Sequence, residues 1–65
     1  MSMSPTTIYS LAQVAIILRQ LRADYASSAD YCAKNNKPNG VTFNSGRVTT
    51  IDEAIKLVEQ AITSK

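Results

Sequence analysis

The sequence predicts a mainly α-helical fold: a long N-terminal helix, a short β-hairpin or irregular loop, and a shorter C-terminal helix. Two observations carry this prediction. No Pro or Gly stands between Pro5 and Pro38, and apolar residues recur at spacings of three and four in that stretch and again near the C-terminus. We therefore expect an antiparallel helical hairpin that assembles into a homo-oligomeric bundle, with residues 1–65 forming one small domain.

The first helix is predicted over about residues 5–34. Ser4 suits the N-cap position, and Pro5 suits the first helical position because its missing N–H would have no partner there. A pair of asparagines, which tolerate left-handed conformations, and a Lys-Pro-Asn-Gly turn signal follow Lys34, so the helix should end there. A heptad-like apolar seam is expected along it at Leu11, Val14, Leu18, Leu21, Tyr25, Ser28 and Cys32.

The middle of this helix predicts self-association. Residues 14–18 are apolar on all sides of a helix, and one shorter helix cannot cover them. A chain of this size with no disulfide or metal also needs very good helix packing or oligomerisation to be stable. Other copies of the chain are the simplest cover, and the expected interface consists of Leu11, Val14, Ile17, Leu18, Leu21 and Tyr25.

Two arginines interrupt a stripe of alanines beside this seam. Arg19 and Arg22 are expected to face solvent or to pair with an acidic residue, Asp24 or Asp30, of a neighbouring copy. The alternative is a positive ring around an oligomer axis.

Residues 35–49 are expected to form a turn and then a small β-hairpin. The runs 41–43 and 47–49 have strand character, and the Asn-Ser-Gly between them suits a three-residue loop with Gly in the left-handed position. Because an isolated hairpin is marginal in water, its apolar side chains should pack on the helices. An irregular loop is the alternative.

The second helix is predicted over about residues 51–63. Thr50 and Glu53 have the spacing of a capping box, in which the hydroxyl and the carboxylate each accept from a free backbone N–H. A broad apolar stripe follows at Ile51, Ala54, Ile55, Val58, Ala61 and Ile62.

Composition limits the classes of function. The 65 residues include no His and one Cys, which excludes His-dependent catalysis, an internal disulfide and a Cys/His zinc site. Cys32 is interpreted as a buried structural thiol. No acidic pair is placed for acid–base catalysis, so we expect no enzyme activity, no catalytic residue, no cofactor and no metal.

The net charge of +2 disfavours a nucleic-acid partner. The most apolar stretch, residues 8–18, is about half a membrane span, so we expect a cytoplasmic protein without a membrane partner.

The polar segment between the predicted helices is the candidate ligand site. No acidic residue lies between Asp30 and Asp52, and the segment would end at the start of the second helix, where free N–H groups favour an anion. Arg47 could hold a phosphate with two hydrogen bonds. The alternative is a solvated loop of common turn residues. The expected ligand-binding residues are Lys37, Asn39, Asn44, Ser45, Gly46, Arg47, Thr49 and Thr50.

Two functions follow from these features. The first is a non-catalytic homo-oligomer that binds or sequesters a small phosphate-bearing ligand such as a signalling nucleotide. In size and in helical, oligomeric character the chain resembles very small phage-encoded proteins that sequester nucleotide immune signals, although it shares no diagnostic motif with them. The second is a protein-interaction module, an inhibitor, adaptor or assembly factor, that offers the apolar face of the long helix to a partner.

Overall fold

A computed structural model describes residues 3–64 as two antiparallel helices joined by a three-residue turn. Helix α1 is Pro5–Lys34 and helix α2 is Pro38–Thr63. The hairpin measures 50 × 14 × 10 Å between Cα atoms, and residues 3–64 contain no strand. The helical hairpin is therefore confirmed. We call the end that carries the turn the closed end, and the end that carries Pro5 and Thr63 the open end.

The start of α1 is stabilised as the sequence predicts. Ser4 is the N-cap in an extended conformation, and its side-chain oxygen accepts a hydrogen bond from the Thr7 N–H at 3.2 Å. Pro5 occupies the first turn. One of the free N–H groups of the helix start is thereby satisfied within the chain.

The turn between the helices closes with two reverse hydrogen bonds. The Lys37 N–H donates to the Cys32 carbonyl at 2.8 Å, and the Asn36 N–H donates to the Ala33 carbonyl at 3.4 Å. Asn36 has a φ of 56°, the left-handed conformation that this kind of helix end requires. The prediction that an asparagine ends the first helix in a left-handed conformation is confirmed.

The predicted β-hairpin is wrong, because residues 41–49 are helical and belong to α2. The residues that face α1 continue one heptad pattern through the predicted hairpin into the predicted second helix. Burying this stripe against α1 outweighs the weak helix propensity of Gly and Thr, a loss of roughly 0.5–1 kcal/mol per residue. The stripe consists of Val41, Asn44, Val48, Ile51, Ile55, Val58 and Ile62.

The predicted capping box is also wrong. α2 begins at Pro38, twelve residues before Thr50, and the Thr50 hydroxyl donates to the Gly46 carbonyl within the helix at 3.0 Å. Pro38, which the sequence places in a turn signal, takes the first helical position, for which its fixed φ is well suited.

The two helices bury few side chains between them. Among residues 3–64 only Ala15, 3% exposed, and Ile55, 8% exposed, are buried. The predicted seam of α1 is correct in part. Leu11, Leu18, Tyr25 and Cys32 are half-buried, whereas Val14, Leu21 and Ser28 are exposed. The side of α1 that packs on α2 is rotated toward the neighbouring alanine stripe, because small residues such as Ala15 allow the helices to approach closely.

Candidate functional site

The closed end of the hairpin carries the unbalanced positive charge. Lys34 ends α1, Lys37 immediately precedes α2, and Arg47 lies three turns into α2. No acidic residue lies between Asp30 and Asp52, and Asp30 itself is one turn before Lys34, so this end has three cations and one carboxylate. It attracts anions on electrostatic grounds.

The start of α2 lacks a cap. Lys37 is at the N-cap position, its side chain makes no capping hydrogen bond, and the first turn contains no acidic residue. The first helical bond runs from the Val41 N–H to the Lys37 carbonyl at 3.1 Å, so the Asn39 and Gly40 N–H groups precede it. These donors lie at the positive end of a 26-residue helix dipole. A helix start of this kind has the chemistry of an anion site.

A shallow, open depression adjoins this helix start. It lies beside the turn, between the end of α1 and the first turn of α2. Its lining residues are Cys32, Ala33, Asn36, Lys37, Pro38, Val41 and Thr42. The Thr42 hydroxyl donates to the Pro38 carbonyl at 3.1 Å.

Most of the predicted ligand residues do not meet in this depression. Lys37 lines it. Asn44 instead turns toward α1, where its side-chain N–H groups donate to the Gly40 carbonyl at 2.8 Å and approach the Cys32 Sγ at 3.9 Å. Asn39 lies in the first turn of α2, and Ser45, Gly46, Arg47, Thr49 and Thr50 follow the helix away from the turn. Thr49 donates its hydroxyl to the Ser45 carbonyl, as Thr50 does to Gly46.

Each of two cations at the closed end covers an aromatic ring. The Arg47 guanidinium lies 4.9 Å from the centre of the Phe43 ring, and the Lys37 ammonium lies 5.7 Å from the centre of the Tyr31 ring. Both rings are more than half exposed. These contacts hold the two cations near the helix surface.

Arg19 and Arg22 are exposed, as expected, and each also has an acidic partner within the chain that the sequence did not predict. Arg19 pairs with Glu59 at 2.8 Å, and Arg22 pairs with Asp52 at 2.6 Å. Both pairs cross from α1 to α2 and are about half exposed. They neutralise the middle of the hairpin, so the net positive charge is concentrated at the closed end.

Asn36 and Thr42 line the depression, and neither is among the ligand residues expected from the sequence. The signal that could have found them is Pro38, which marks a helix start as readily as a turn. A helix that begins at Pro38 has its free N–H groups beside the turn.

Other kinds of site find no support in the part of the chain that the structure describes. No three His, Cys, Asp or Glu side chains are grouped to hold a metal ion within it. Neither α1 nor α2 contains an apolar stretch long enough to cross a bilayer.

Comparison with known proteins gave no match. No protein-family model, no curated protein and no solved structure is significantly similar to the chain.

Proposed function

We propose that this chain is a non-catalytic, homo-oligomeric binding protein that takes a small phosphate-bearing ligand at its closed end. The observation that carries the proposal is Lys37 at the uncapped start of α2. A lysine there has a positive charge beside the positive end of the helix dipole, where an acidic or hydroxyl side chain would stabilise the helix.

In the free protein, this arrangement lowers the free energy of unfolding. A missing N-cap costs about 1 kcal/mol, and a cation at the wrong end of the dipole costs about 0.3–1 kcal/mol. A bound phosphate reverses both effects, because its oxygens accept from the free N–H groups of Asn39 and Gly40 and its charge pairs with Lys37. Asn36 also lines the depression, and its side-chain amide is a further possible donor to a bound phosphate.

Titration with inorganic phosphate, followed by amide NMR, tests the proposal. We expect saturable shifts at the Asn39, Gly40 and Val41 amides and a higher melting temperature with phosphate than with chloride at equal ionic strength. Comparison of adenosine with ADP then tests the ligand class, since the shifts should require the phosphate groups. One result would contradict a phosphate site: ADP and adenosine give equal, saturable shifts, and inorganic phosphate gives none.

The variant Lys37→Ser separates binding from folding. A serine can cap α2, so we expect the free protein to gain about 0.5–1 kcal/mol in stability while the phosphate response is lost. Lys56→Ser is the matched control: it removes the same charge from an exposed site on the same helix, about 28 Å away along the axis. It should leave the phosphate shifts unchanged.

A protein-interaction module is the second candidate function. It is favoured by the large apolar side chains that remain exposed, among them Ile17 and Leu57, which are 55% and 67% exposed. If gently purified protein proves monomeric and binds no phosphate, this function replaces the first.

A further inference from the structure

One side of the hairpin is apolar and uncovered. Its residues come from two turns of each helix in the half of the hairpin nearer the open end. We call this surface the apolar flank, and it consists of Val14, Ile17, Leu21, Ala54, Leu57 and Ala61. None of the six carries a charge.

Helix geometry places these six residues on one side. The Arg19–Glu59 and Arg22–Asp52 ion pairs mark one flank of the contact between the helices. Successive residues turn by about 100° around a helix, which places the α1 members of the set on the opposite flank of α1 and the α2 members on the opposite flank of α2. Since the helices are antiparallel, both groups lie at the same height along the hairpin.

The exposed area points to a partner of matching size. The chain has 4938 Å² of accessible surface. A compact monomer of 7.1 kDa is expected to expose about 4,100 Å². This excess of about 800 Å² belongs to the whole elongated hairpin, and it is as large as the area that each partner buries in a protein interface of standard size. The large side chains of the flank, Val14, Ile17, Leu21 and Leu57, are each at least 42% exposed.

We propose that a second copy of the chain covers the apolar flank and that the two hairpins form an antiparallel four-helix bundle. In such a bundle each helix packs on two neighbours, the other helix of its hairpin and a helix of the partner. The core is formed by the side chains that point between these two neighbours. On α1, Leu18 and Tyr25 lie toward α2 and are half-buried, while Val14 and Leu21 lie toward the flank. The dimer buries both pairs in one core.

Charge sets the direction of the second copy. In a parallel dimer the two closed ends would meet, and each carries Lys34, Lys37 and Arg47 against a single carboxylate, Asp30. In an antiparallel dimer centred near Ile17, the Lys34 positions lie about 50 Å apart along the axis, far beyond the Debye length of about 8 Å. The apolar halves overlap, and both cationic ends project freely. This proposal specifies the homo-oligomer of the proposed function and does not depend on phosphate binding.

Matched lysine substitutions on the two flanks test the interface. Leu21 and Ile16 are similarly exposed, at 42% and 46%, but Leu21 lies on the apolar flank and Ile16 lies beside Arg19 and Glu59. By analytical ultracentrifugation the 65-residue chain should be a dimer at micromolar concentration. Leu21→Lys should weaken the dimer by at least about 30-fold, whereas Ile16→Lys should leave it intact. Circular dichroism checks that each variant remains helical.

Spin labels test the orientation. With Cys32→Ala to remove the natural thiol, a label at Lys34→Cys should give a distance of about 50 Å between copies in the antiparallel dimer and under about 25 Å in a parallel one. Three results would overturn the proposal: a monomeric natural chain, equal loss of the dimer in both lysine variants, or the short distance. Phosphate shifts measured on the same samples report the proposed function separately.

Discussion

Gly40 of α2 lies directly against Cys32 of α1, at the point where the two helices leave the turn. A Cβ atom added to Gly40 would lie 2.5 Å from the Cys32 Sγ and 3.2 Å from its Cβ. Both distances are shorter than van der Waals contact, so the helices can be this close only because position 40 has no side chain. Asn44, which bonds the Gly40 carbonyl, completes this tight contact.

Gly40→Ala should therefore destabilise the protein, by about 1–3 kcal/mol. Gly46→Ala is the matched control, since a Cβ there meets no atom within 4 Å and alanine favours a helix by about 1 kcal/mol. Urea unfolding at fixed protein concentration should show opposite signs for the two substitutions. Cys32→Ala should restore part of the loss in the double variant, because it removes the atom that clashes.

Ile55→Ala should cost about 2–4 kcal/mol in the free energy of unfolding, because Ile55 is the one large side chain buried among residues 3–64. Ile16→Ala removes the same atoms from a site that is 46% exposed and should cost less than about 1 kcal/mol. Thermal unfolding followed by circular dichroism compares them. Equal losses would show that the contact between the helices is not the one described.

The Arg22–Asp52 pair should contribute little to stability despite its 2.6 Å hydrogen bond. Both side chains are nearly half exposed, and ion pairs of this kind contribute about 0.2–1 kcal/mol. A double-mutant cycle with Arg22→Ala and Asp52→Ala should give a coupling energy in that range at low salt. Most of it should disappear in molar NaCl. A coupling above about 2 kcal/mol would indicate that a partner copy buries the pair.

Asn36→Ala should destabilise the turn by about 1 kcal/mol, because alanine is strained at the φ of 56° that this position adopts. Asn36→Gly is the informative companion, since glycine takes this conformation without strain and should keep or slightly raise the stability. Denaturant unfolding measures both changes. If alanine and glycine behaved alike, the left-handed conformation would not determine how the turn forms.

The sequence predicted the charge of the candidate site but not its geometry. The basic character of the segment from Lys34 to Arg47 is a matter of composition, and the structure keeps it at one end of the molecule. The geometry of the site depended on where the second helix starts. Because α2 begins at Pro38 and not at Thr50, most of the expected ligand residues lie along a helix, whereas Asn36 and Thr42 lie at its start.

The sequence by itself determined both ends of α1, because local interactions decide where a helix begins and ends. Ser4 and Pro5 determine where α1 begins, and Asn36 determines where it ends, because the relevant hydrogen bonds and dihedral angles involve residues within five positions of each other. Helical periodicity also determined that the long helix carries more apolar surface than one partner helix covers.

Only the tertiary structure decided the conformation of residues 38–50 and the side of α1 that meets α2. That segment contains two glycines and three threonines, which are weak helix formers, and its local pattern fits a β-hairpin equally well. It is helical because Val41, Val48 and Ile51 extend the stripe of α2 that packs along α1. Contacts between residues as distant as Cys32 and Asn44, or Arg19 and Glu59, stabilise that packing. Such contacts exist only once the chain has folded back on itself, so they outweigh a local preference that the sequence alone left undecided.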